Sequence, residues 1–259
     1  MGAVDHPLRL AVGSHKAGSG RGCAMNVISW ENGDTTITDY PNCADRVLAT
    51  IVQRVNDTIC THRDGDLLCP ACSVEVLALG HRIVGTGTHP LTKLERRRVW
   101  VRVAADQARQ VAHLNPDPRV MIAIQAAEGW CDGTVSTKQC RVAASDLKSA
   151  VAAAAAAAAY AADAAIAAAA AAADAAIAAH AHDYDDDAAI ADAYPYPYAQ
   201  AHAYAAYASA HAADAEPAEQ IALAHRAVDV WCEWAGFTPG TPDAAVTAAA
   251  VQRMLEVAQ

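Results

Sequence analysis

The sequence predicts an all-α protein: a helical bundle with a small Cys/His element in its N-terminal half and long Ala-rich helices in its C-terminal half. Three observations carry that reading. The 259 residues include one Phe but abundant Ala, Val, Ile and Leu. That suits helices packed closely through small side chains better than a β-sandwich, whose strands want alternating β-branched and aromatic residues. Apolar residues recur at helical spacing, most plainly at Leu48, Ile51, Val52, Val55 and Ile59. The stretch from 145 to 182 is overwhelmingly Ala, the residue with the best helix propensity. A chain of this length can bury a core as one domain or two. The change of composition gives two regions, 1–117 with the Cys/His element and 118–259, rich in Ala.

Taken in order, residues 1–21 are Gly- and Ser-rich toward their end and read as irregular. "GCAMNVISWENGD" (22–34) reads as a short helix closed by Gly33. "TTITDYPNC" is a loop, and "ADRVLATIVQRVNDTIC" a helix with Asp45 as its N-cap. The Cys/His stretch follows, then a short helix over "SVEVLALGHRIVG" and a long basic one over "LTKLERRRVWVRVAADQARQVAHL". "NPDP" stops that helix, because proline in a helix interior removes a hydrogen bond and clashes with the preceding turn. "RVMIAIQAAEGW" is helix and "CDG" a turn.

From about 141 to 182 one Ala-rich helix is expected, on the order of 60 Å long. "DAAI" begins at 163, 174 and 187. An eleven-residue step is close to three whole turns, so Asp163 and Asp174 share one face and Ile166 and Ile177 another. "HDYDDD" breaks the pattern. Two further helices are expected, one from Pro217 to a stop at Gly236 and one after Thr241 and Pro242.

Charge is unevenly placed. The formal net charge is −10, and no Lys or Arg lies between Lys148 and Arg226. Ten acidic residues fall in that gap, and the remaining 19 balance the 19 Lys and Arg of the chain. This argues against a nucleic-acid binder, which would present a basic face. No stretch reads as a membrane span, since the longest apolar run, nearly all Ala, ends at Asp163. The start carries neither a secretory signal nor a myristoylation pattern. The expected location is therefore the cytoplasm, where the eight cysteines stay reduced and serve as ligands or core residues.

The chemistry is concentrated in "CTHRDGDLLCPAC", residues 60–72. Zinc wants four soft or borderline ligands in a tetrahedron, and Cys60, His62, Cys69 and Cys72 supply four. The second pair is a CxxC, the spacing that lets two thiolates grip one ion, and "RDGD" is a polar turn able to fold the halves together. Four protein ligands close the site to water, which makes it structural. His81 is an alternative to His62. "CPAC" is similar to the glutaredoxin-type CPxC, but that fold needs a strand before the motif, and here a helix and a turn precede it. A nucleobase deaminase would carry H-x-E with P-C-x-x-C, and neither His62 nor His81 has a Glu two residues on.

Other clusters are weaker. The loop from His180 to Asp187, with His182, Asp183, Asp185 and Asp186, reads as a solvated connection or as a hard-cation site. A metal-dependent hydrolase could use that loop, or His15, Cys23, Asp39 and Cys43. Seven tyrosines (Tyr160, Tyr184, Tyr194, Tyr196, Tyr198, Tyr204 and Tyr207) stand in an Ala background. They serve either as a binding surface, giving large contacts at low entropic cost, or as fillers between Ala-faced helices.

The front half resembles a family of uncharacterised proteins from actinobacteria and their phages. The resemblance rests on "GSH" at 13–15, "GCAMN" at 22–26, "TDYPNC" at 38–43, "RVND" at 54–57 and "VGT" at 84–86. In that family a Glu often follows the Met and a His the Asp, where this chain has Asn26 and Tyr40; the resemblance implies no particular activity. From Ala123, "AIQAAEGWCDGTVS" and the Ala-rich stretch after it are similar to Ala-rich helical immunity proteins of polymorphic toxin systems. The combined expectation is a non-enzymatic, zinc-stabilised protein that binds a protein partner through its acidic, Tyr-rich half. A structural or homo-oligomerisation element is the remaining alternative.

Overall fold

The computed structural model describes residues 9–13, 15, 19–114, 116–157 and 217–239. Among them it is all-α, with seven helices and no strand, only isolated bridges at Ala11–Leu67, Ala44–Val84 and Asp64–Leu67. The chain divides into two compact units, one running through His89 and the other covering Pro90–Phe237. The compositional boundary at 117 lies inside the second unit, because the long basic helix packs with the helices that follow it.

In the first unit α1 spans Ala24–Glu31, α2 Arg46–Thr58 and α3 Pro70–Arg82. Helices α1 and α2 begin where side chains partner otherwise orphan N–H groups. Asn26 Oδ1 accepts from the Cys23 backbone N–H at 3.1 Å, and Asn56 Oδ1 accepts from Ala24 at 3.2 Å. Asp45 caps α2 by accepting from Val47 at 3.0 Å, while its own N–H donates to Thr86 Oγ1 at 2.8 Å. Helix α3 starts at Pro70, three residues before "SVEVLALG". Proline's missing N–H costs nothing in a first turn, so the CPAC motif itself becomes the helix start.

Leu48, Ile51, Val52 and Val55 are buried on α2, and Ile59 just past its end, as the spacing predicts; Val47 joins them. Gly80 faces Ile28 of α1 and Val52 of α2, where a Cβ would sit in ordinary contact at 3.4 to 3.8 Å. Two residues of the segment read as irregular, Leu10 and Ala11, are part of this core and fully buried. Leu10 donates to Ser73 Oγ at 3.0 Å and accepts from Leu68 at 2.8 Å, and the Asn56 amide donates to the Ala11 carbonyl at 2.8 Å. An apolar residue flanked by backbone bonds to two helices needs no helix of its own.

In the second unit α4 is Lys93–Val111, α5 Pro118–Cys131, α6 Thr137–Ala157 and α7 Pro217–Ala235. Thr92 and Glu95 form a capping box on α4. Ser136 and Gln139 pair likewise before α6, which therefore begins ahead of 141. The core is Val101, Ala104, Ala105, Ala108, Ile124, Ala127 and Leu147 with Trp130, and Trp100 and Trp231 meet at 6.5 Å. Alanine on facing helices brings the backbones together. Arg109 grips Glu128 across α4 and α5, and Arg226 grips Asp106 across α7 and α4 at 2.7 and 3.0 Å.

Candidate metal centre

Helix α2 ends at Thr58 and delivers Cys60 into the interior, 3% exposed. The connection to α3 is short and held from several sides. Asp64 and Leu67 exchange both backbone hydrogen bonds, at 3.0 and 3.1 Å, around Gly65 in the left-handed region. Arg9 pairs with Asp64 at 3.2 Å and Arg21 with Asp66. Leu68 is buried against Leu10. Cys69 then stands at the N-cap of α3 and Cys72 in its first turn.

The result is one group of three thiols. The sulfur atoms of Cys60, Cys69 and Cys72 all lie within 4.8 Å of one another. The Cys69 backbone N–H donates to Cys60 Sγ at 3.3 Å. The Cys69 thiol is held below its ordinary range, first by the Cys72 backbone N–H and further by the Cys72 and Cys60 side chains and the Ala71 N–H. These first-turn N–H groups and the positive end of the helix favour a thiolate. Cys72 is pushed up to about 12, by burial first and then by the two neighbouring sulfurs. The three sulfurs share one space, so their protonation is linked. Such a group could hold a metal ion, and thiolates select soft or borderline cations.

The two candidate histidine ligands lie outside this group. His62 is exposed, with Nδ1 3.2 Å from Thr61 Oγ1. His81, near the end of α3, places Nε2 2.7 Å from Glu31 Oε2 on α1. Helical geometry thus carries His81 away from Cys72 and into a half-buried pair.

Of the second candidate set, the structure brings Cys23 and Asp39 together, Sγ to Oδ1 at 3.6 Å. Asn26 donates to the same oxygen at 2.8 Å, and Gln53 to the Asp39 carbonyl at 2.6 Å. A cavity of about 70 Å³ is lined there by Gly13, Cys23, Asp39, Gln53 and Asp57. No three of His15, Cys23, Asp39 and Cys43 come within ligand distance of one another. Burial and the Asp39 carboxylate push the Cys23 thiol up to about 12, which keeps it protonated and a poor nucleophile. Gln53, Asn56 and Asp57 were absent from the sequence-predicted set, although "RVND" contains two of them. The signal was the three- to four-residue spacing from Gln53 to Asn56 and Asp57 on the α2 face toward α1 and the N-terminal segment.

The loop from His180 to Asp187 and the tyrosines at 160, 184, 194, 196, 198, 204 and 207 lie outside the described residues. No helix among the described residues is long and apolar enough to cross a membrane. Comparison with protein-family models, with curated proteins and with solved structures found no match.

Proposed function

We propose that this chain is a zinc-stabilised binding protein in which one ion fixes the N-terminal unit. The observation that carries the reading is the convergence of three sulfurs from two helix ends within 4.8 Å. Zinc suits them because it accepts three thiolates without demanding a redox partner or a particular d-electron geometry. We assign the fourth position to His62, which is two residues beyond Cys60 and exposed, so that its ring is accessible to an ion. Three thiolates and a neutral imidazole around Zn²⁺ leave one negative charge, which the N-terminus of α3 favours. The ion would join the end of α2 to the start of α3 and so close the unit that also contains α1 and the N-terminal segment.

Metal analysis of protein purified without a chelator or an affinity His-tag tests this. One zinc per chain, absent from Cys69→Ser/Cys72→Ser, is the expected result. A chain that holds none refutes it.

The binding role rests on charge and composition. The ten acidic residues between Lys148 and Arg226, with the seven tyrosines, suit a basic protein partner. In capture experiments, a partner retained by the natural chain should be released by moderate salt and by replacing those tyrosines with alanine. A partner retained equally by both chains counts against this surface.

A further inference from the structure

The chain supplies three thiols to one point, and only an exposed ring stands ready as a fourth ligand. An ion that needs three sulfurs and no fourth ligand can use such a group without the ring. Trivalent arsenic is such an ion: it binds three thiolates as a pyramid and keeps a lone pair at the fourth position. We infer that the Cys60/Cys69/Cys72 centre takes trivalent arsenic, and related thiophilic ions of three-coordinate preference, in place of zinc. This rests on the metal-centre reading above and extends it to the class of ligand.

Three features support it. The sulfurs of Cys60, Cys69 and Cys72 all lie within 4.8 Å, close enough for one ion to touch all three. Cys69 and Cys72 are half-buried, so part of the group is reachable from solvent, while Cys60 is buried. The other five cysteines do not form such a group. All five are buried, and burial pushes Cys23 and Cys131 up to about 12 and Cys140 to about 11, so they are poor competitors for the ion.

The reaction balances without an oxidant. Arsenous acid carries three hydroxyl groups. Each As–O bond is replaced by an As–S bond, and each thiol proton leaves with a hydroxide as water. Neither arsenic nor sulfur changes oxidation state. His62 plays no part, which separates this ion from zinc.

The test titrates the reduced full-length chain with arsenite and, separately, with zinc. Free thiols are counted, and the arsenic coordination is read by X-ray absorption. One arsenic per chain, three thiols consumed, three sulfurs around the arsenic and displacement of bound zinc are expected. His62→Ala should lower zinc affinity about tenfold or more and change arsenite affinity by less than about twofold. If zinc binds but arsenite consumes two thiols or none, the inference fails and the zinc centre stands. Equal weakening of both ions by His62→Ala also overturns it. If neither ion binds, the metal centre itself is wrong and the inference falls with it. Thiol count and arsenic coordination on the natural chain decide whether the centre takes arsenite, so a His62→Ala chain that fails to fold leaves that outcome readable.

Discussion

In the unit that holds the chain up to His89, helices of 8, 13 and 13 residues share their core with an extended N-terminal segment. In the unit from Pro90 to Phe237, helices of 19, 14, 21 and 19 residues pack on one another. The polar groups divide accordingly. Of the eight buried polar residues among those described, six (Asn26, Ser29, Asp45, Asn56, Ser73 and Thr86) belong to the first unit. Each can be matched to a cap, loop or segment that it ties down. The second unit buries Ala, Val and Trp, and its two buried polar residues, Asp106 and Gln107, both reach across to α7. Short helices are marginal on their own, and a small unit with a polar interior gains most from a staple. Long Ala-rich helices with a continuous apolar face need none.

The largest expected effect tests that division. Cys69→Ser/Cys72→Ser, or removal of the metal by a chelator, should cost the first unit several kcal/mol, because metal binding to a folded site is folding free energy. Hydrogen exchange should accelerate in α2 and α3 and stay unchanged in α4, α5 and α7. Equal acceleration in both units would erase the distinction. Next in size is Trp231→Ala, which empties a fully buried site against Trp100 and Phe237. A loss of about 3–5 kcal/mol is expected from thermal unfolding of the second unit, with metal content unchanged.

Gly87→Ala sharpens the picture within the first unit. A Cβ there would meet the Asn42 carbonyl oxygen at 2.3 Å and the Ala44 backbone at 2.8 Å. These are backbone atoms that cannot rotate away, so denaturant unfolding should show a loss of about 1–3 kcal/mol.

The smallest effect is on pH. The Cys72 thiol is pushed up to about 12 by burial and by its sulfur neighbours, so in the metal-free chain it carries its proton at neutral pH. Binding must release that proton, so metal affinity should rise by about tenfold per pH unit for each proton released and fall on acidification. Calorimetry in two buffers of different ionisation enthalpy reads the proton count. A count of zero would mean that Cys72 is not a ligand.

Much of this was legible in the sequence, and the parts that were not have physical causes. Helix α2 was readable because one residue, Asp45, caps a face whose apolar spacing is unbroken from Val47 to Val55. Helix α7 was readable because Pro217 and Gly236 mark its ends, with Gly236 at φ 66°. The apolar pattern places the start of α3 at Ser73, three residues late, because CPAC carries no apolar periodicity, although Pro70 is well suited to a first turn. The buried role of Leu10 and Ala11 is not legible locally, because bonds such as Leu10 to Ser73 and Ala11 to Asn56 reach 63 and 45 positions along the chain. Three of the four expected ligands come together because CxxC spans one helical turn and the Asp64–Leu67 turn returns the chain to Cys60. His62 and His81 were named on sequence spacing, which says nothing of where a ring points. Glu31, the partner of His81, lies fifty residues earlier.

The most direct test is the mass of the intact natural chain under native conditions, beside that of Cys69→Ser/Cys72→Ser. The account predicts a mass increment of one zinc on the natural chain and none on the variant. A natural chain without metal, or a variant that keeps its ion, would contradict it.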